Sequence, residues 1–165
     1  MNANIAIGLI ETSSIAKGIE ASDAMCKMAS VTLRKAVILA RGKYVILISG
    51  HVGEVESSLR AGREIAGKSL IDEVIIRNVH SQVLEALDKR VPVEALDAFG
   101  IIETKEAIAT VRAADAAAKA AFVHVAEVSS FLAAYISHVD PTFSGADQDR
   151  YYAEVAEIAS RLGAP

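Results

Sequence analysis

The chain has 165 residues, 52% apolar but only 5% aromatic, and its 17 basic and 21 acidic side chains leave a net charge of −4. That balance, with no run of Lys or Arg, argues against a nucleic-acid-binding face, and one cysteine, Cys26, excludes an intrachain disulfide and fits a reducing compartment. No window of 18 uninterrupted apolar residues offers a membrane span and no basic leader precedes the first apolar run, so a cytoplasmic location is expected.

Ile5–Ile10 reads as a short buried strand, and Thr12-Ser13-Ser14 supplies N-cap hydroxyls for a helix to about Ala29, with Ile15, Ile19, Ser22 and Cys26 on one face. Val31–Leu39 and Tyr44–Ser49 read as a β-hairpin around Ala40-Arg41-Gly42-Lys43. Val52, Val55, Leu59 and Ile65 mark a second helix ended by Gly67, followed by strand Leu70–Val79 and a short helix to Leu87 capped by Ser81. The order β-α-β-β-α-β predicts an α+β, ferredoxin-like unit with a four-stranded antiparallel sheet over residues 1–87. Asp88–Leu96, charged and holding Pro92, reads as a linker.

The pattern then restarts over 97–165, with strand Ala98–Ile102, helix Lys105–Ala121 and strand Val123–Val128. At a shift of 92 residues Gly8-Leu9-Ile10-Glu11-Thr12 falls on Gly100-Ile101-Ile102-Glu103-Thr104, Asp23-Ala24 on Asp115-Ala116, and Lys27 on Lys119. No gap is needed there, so the chain holds an internal duplication. Beyond it, Ile48-Ser49 matches Ile136-Ser137 only if about four residues are lost from the hairpin loop. Asp140-Pro141 marks a turn, and Tyr151, Val155, Ile158 and Leu162 a final helix. With no counterpart to Leu70–Val79, the second copy reads as incomplete. The mean hydropathy of +0.33 predicts apolar surface to bury against other subunits.

Catalytic and metal chemistry find little support. His51, His80, His124 and His138 lack metal-ligand spacing, and His138-x-Asp140 is too short a motif to carry a mechanism. Cys26, on a helical apolar face, is expected to be a small buried thiol. Glu11 and Glu103, equivalent positions before a helix, suit a structural role at helix N-termini better than acid/base work. Ala40–Lys43 is not a P-loop, because a strand rather than a helix follows it. It is either a solvated hairpin or, with several copies around an axis, an anion-attracting one.

The repeated Gly-(Leu/Ile)-Ile-Glu-Thr followed by Asp-Ala-x-x-Lys-x-Ala resembles the bacterial microcompartment (BMC) shell domain, present here in tandem. Thr12–Gly18 and Asn78–Leu84 are most similar to its propanediol-utilisation PduT branch. The resemblance implies a structural protein rather than an enzyme. It implies a homotrimer of two-domain chains imitating a hexagonal tile, set beside other shell proteins around encapsulated enzymes. It places Ala40, Arg41, Gly42 and Lys43, with Ser129, Ser130 and Phe131, around a central pore. It places Lys27, Arg77, Asn78, His80 and Lys119 along tile edges. That branch carries an iron–sulfur cluster on a loop cysteine; here Ala40-Arg41 stands instead, so no cofactor is expected, and three Arg41 side chains would favour an anionic metabolite. Two other classes stand as alternatives: a small-molecule regulatory module of the ACT or PII type, which shares the β-α-β-β-α-β pattern, and a redox carrier.

Overall fold

The computed structural model describes residues 5–89, 91–92, 98–129 and 133–138, without the side chains of 129 and 133–138. Strands β1 (Ala6–Thr12), β2 (Thr32–Ile38), β3 (Tyr44–Gly50) and β4 (Leu70–Ile76) form an antiparallel sheet ordered β2-β3-β1-β4. Helices α1 (Ile15–Met28) and α2 (Val52–Ala66) are its crossovers, and α3 (Ser81–Asp88) follows β4. Local chemistry sets the boundaries. Ser14 caps α1, its hydroxyl oxygen accepting the Lys17 N–H, and Gly67 ends α2 at φ 51°.

Two sequence expectations shift here. β4 stops at Ile76 rather than Val79, because Asn78 at φ 52° turns the chain out of the ladder. The cap of α3 is His80 and not Ser81; its Nδ1 accepts the Gln82 N–H at 3.4 Å.

Residue alternation gives this sheet two buried faces. Ala6, Ile10, Ile46 and Ile48 pack with Ala21 and Met25 of α1 and Val55 and Leu59 of α2. Ile7, Leu9, Val45 and Leu47 point the other way, into a second core shared with α3 and with the other half of the chain.

That other half contains β5 (Ala98–Glu103), α4 (Ala107–Ala120), β6 (His124–Ser129) and β7 (Ala133–His138), its described strands ordered β5-β7-β6. This reproduces the β1-β3-β2 part of the first sheet down to its register. Gly8 opposes Ile48 and Gly100 opposes Ile136; Thr32 opposes Ser49 and His124 opposes Ser137. The ladder irregularity between Leu33 and Lys35 recurs between Val125 and Glu127. The described ladders therefore keep the same register on both sides of the shortened loop. The expected turn at Asp140-Pro141, the final helix over Tyr151–Leu162 and the fate of the fourth strand lie outside the described residues.

The α1 face was misread. Its buried positions are Gly18, Ala21, Ser22 and Met25, whereas Ile19 is 55% exposed and Cys26 is exposed. The expected buried thiol is therefore a surface thiol in the single chain. The helix has two sides, which gives the reason: Gly18, Ala21, Ser22 and Met25 serve its own sheet with Ile15 packed partly against the same core, while Ile19 and Cys26 are exposed.

Candidate functional site

Three groups of residues carry the functional question: the β2–β3 turn, the seam between the halves, and the segment after β4. In the turn, Arg41 (φ 62°) and Gly42 (φ 76°) take consecutive left-handed conformations. Gly42 adopts this without strain, and Arg41 is held there with its side chain exposed. Among the described residues Arg41 has no ion pair or hydrogen bond, so its charge is available. Ala40 and Gly42 are exposed beside it.

Lys43, two residues on, is differently employed. Its Nζ lies 2.9 Å from Glu11 Oε1 and 2.5 Å from Glu106 Oε2, so it bridges the two halves. These partners, Glu106 foremost and then Glu11, raise its pKa above the ordinary 10.5, while Lys43 holds the Glu106 carboxyl below its ordinary 4.5. Glu11 is fully buried, and its other oxygen accepts the Ala107 N–H at 3.1 Å, at the first residue of α4. A helix N-terminus carries partial positive charge and unpaired N–H groups, so a carboxylate there is favoured. The structural role expected of Glu11 is thus present, but toward the helix of the other copy rather than its own.

Apolar packing makes up the rest of the seam. Ala107, Ile108, Val111, Ala114 and Ala118 of α4 are buried in one core with Ile7, Leu9, Val45 and Leu47 of the first sheet and Val83 and Leu87 of α3. Val125 N–H donates to Gln82 Oε1 at 2.9 Å, and Val91 N–H to Ala126 O at 2.8 Å. Exposed apolar residues were legible in the composition; the Glu11–Lys43–Glu106 bridge was not, because 96 residues separate Glu11 from the helix it caps.

Of the five expected edge residues, the fold brings His80 and Lys119 to one place. Asp115 Oδ1 accepts the His80 backbone N–H at 2.9 Å, and Asp115 Oδ2 pairs with Lys119 Nζ at 2.5 Å. Arg77 is exposed and pairs with Glu56 at 2.6 Å, and Asn78 is exposed beside it. Lys27, near the end of α1, pairs with Asp23 at 2.7 Å, with both side chains well exposed. The backbone of Ser129 ends β6, whereas Ser130 and Phe131 lie outside the described residues. Among the described residues no three His, Cys, Asp or Glu side chains gather as a metal site, and no helix is long and apolar enough to cross a membrane. The turn offers no thiolate for an iron–sulfur cluster, since the chain's one cysteine is on α1.

The duplicated sheets correspond to a known domain. The BMC-domain family matches residues 6–79 and again 98–145, nearly three-quarters of the chain in two copies. The chain belongs to the BMC-domain family. This tandem BMC protein is 40% identical over 123 residues to the bacterial microcompartment shell protein PduT of Citrobacter freundii, covering 74% of this chain and 67% of that one. The carboxysome shell protein CsoS1C of Halothiobacillus neapolitanus is 40% identical over 88 residues, 52% of this chain and 90% of that one. Among solved structures, a microcompartment protein from Desulfitobacterium hafniense DCB superposes with a TM-score of 0.72 at 39% identity, covering 98% of this chain and 90% of that one. The sequence expectation of two BMC domains holds.

Proposed function

We propose that this chain is a structural tile of a bacterial microcompartment shell, assembled as a homotrimer in which six BMC copies imitate a hexagon. The observation that carries the ring is a mismatch between the two copies. On α4, Val111 is 0% exposed because the seam covers it; at the equivalent place on α1, Ile19 is 55% exposed. On β1, Ile7 and Leu9 are 0% exposed, whereas their counterparts Phe99 and Ile101 on β5 are 36% and 43% exposed. One chain thus forms the seam once and keeps an apolar helix face and an apolar strand face from the same contact. A head-to-tail contact between these surfaces generates a closed ring when the rotation permits. Exposed apolar surface of this kind marks an interface.

The test is the solution mass together with the appearance of concentrated protein. Light scattering after size exclusion is expected to give three chain masses, and negative-stain images sheets or tubes with a hexagonal lattice. A monomer at every concentration overturns the ring. Ile19→Asp, which sets a charge on the open helix face, is expected to return the trimer to monomers while leaving the far-ultraviolet circular dichroism unchanged.

In the ring the β2–β3 turns line the opening, and three free Arg41 guanidinium groups make its mouth positive. Small anionic metabolites are the expected cargo, because a ring of like charges concentrates counter-ions and repels co-ions. Conductance across planar bilayers is expected to favour anions, and Arg41→Glu to reverse the preference. Cation preference in the unaltered protein overturns this reading of the pore. Lys43, held in the seam, contributes little to that mouth. Lys27, Arg77, Asn78, His80 and Lys119 are the proposed edge residues toward other tiles, with other shell proteins and encapsulated enzymes as partners.

A further inference from the structure

We infer that Glu103 of one chain caps helix α1 of a second copy, accepting the backbone N–H of Ile15 and closing each joint of the ring; the inference rests on the ring proposed above. The template is the bond from Ala107 N–H to Glu11 Oε2 inside the chain, 3.1 Å long. A shift of 92 residues carries Glu11 to Glu103 and Ala107 back to Ile15, the first residue of α1. Glu11 is fully buried at its contact, while Glu103 is exposed and among the described residues caps no helix. At the other end, among the described residues no acceptor meets the Ile15 N–H.

Two further correspondences point to the same partner. The exposed Ile19 on α1 and Phe99 and Ile101 on β5 repeat the positions that bury Val111, Ile7 and Leu9 in the internal seam. Asp23 repeats Asp115, and its side chain is 61% exposed where that of Asp115 is 9% exposed. Polar and apolar parts of one contact are therefore both exposed on the same two surfaces, which fits a second copy of this chain better than an unrelated protein.

The new joint differs from the internal one in its charges. The position equivalent to Glu106 is Ser14, a neutral hydroxyl that can donate to the Glu103 carboxylate. Glu103 then has Ile15 N–H and a hydroxyl where Glu11 has Ala107 N–H and an ammonium. A carboxylate removed from water needs those donors, so deleting it or them weakens the joint.

Sedimentation velocity across a concentration series tests this. Glu103→Ala is expected to raise the concentration needed for assembly by about tenfold or more, the effect of losing a hydrogen bond to a charged acceptor. Glu103→Gln, which keeps a carbonyl oxygen for the Ile15 N–H, should recover part of the loss. A positive readout comes from the double substitution Ser14→Cys with Glu103→Cys in a Cys26→Ser background. A short bismaleimide should then link chains into bands of two and three masses, and neither single variant should do so. An unaltered protein that forms trimers, with Glu103→Ala assembling equally well and the double variant linking only within one chain, overturns the cap and leaves the ring standing. An unaltered protein that never leaves the monomer overturns both.

Discussion

Gly18→Val is expected to cost about 3–4 kcal/mol and to lower the melting temperature by roughly 10 °C. A Cβ at Gly18 would lie 2.4, 2.7 and 2.8 Å from Tyr44 Cδ1, Cγ and Cβ. The Tyr44 Cβ cannot swing aside, because it is fixed to β3, a strand paired on both sides by β1 and β2. Helix α1 must instead lift from the sheet, loosening Ala21 and Met25, both fully buried. Alanine at this position meets the same obstacle but gains about 1 kcal/mol of helix propensity, so its loss is smaller. Gly53 is the control: nothing lies within 4 Å of a Cβ there, and Gly53→Ala should be neutral or slightly stabilising. Urea denaturation of the three variants checks the order; a Gly18→Val protein as stable as the parent would refute the close approach of α1 to the sheet.

Lys43→Met is the second large effect. Breaking a fully buried pair costs roughly 3–5 kcal/mol, since the surviving charge has no water. Lys43 is 28% exposed and Glu11 keeps the Ala107 N–H, so about 2–3 kcal/mol is expected here. Arg41→Met, in the same turn but exposed and without a partner among the described residues, should change stability little. The pH dependence has a definite sign. Lys43 titrates above its ordinary 10.5 in the folded chain, so its contribution is complete below that pH and fades as pH climbs through the raised folded value. Glu106 titrates below its ordinary 4.5, so its contribution is complete above that pH and fades as pH falls through the lowered value. The gap between parent and Lys43→Met should be widest and flat from about pH 5 to pH 10 and narrow outside that window. A gap that does not change with pH would mean that the methionine variant acts through packing and not through charge.

The duplication made most of the architecture legible. Gly100–Thr104 repeats Gly8–Thr12, and a repeat that dense requires the same strand in the same sheet position, as the shared register now shows. The continuous apolar runs of β1 and β3 likewise gave buried strands directly, but they could not say that the other copy covers one face of that sheet. The same blindness explains Cys26. Periodicity on α1 grouped Ile15, Ile19, Ser22 and Cys26, but Ser22 is buried and Ile15 packs partly against the sheet while Ile19 and Cys26 are exposed, because the pattern reports an apolar face and not what covers it. Lys43 was expected at the pore as one of two cations in a turn. Its capture by Glu11 and Glu106 depends on contacts 32 and 63 residues away, which no local pattern records. The expected edge residues divide in the same manner: Arg77 and Asn78 are exposed after β4, while His80 is tied to the second half through Asp115.

The irregularity that recurs at Leu33/Lys35 and Val125/Glu127 has a consequence for engineering. Both hairpins keep their ladders although one tip is shorter, so the tip behaves as an exchangeable cassette on a fixed frame. In the proposed ring, grafting turns of other lengths at residues 40–43, with Lys43 retained as the anchor, is expected to change aperture width and charge while the outer dimensions stay constant.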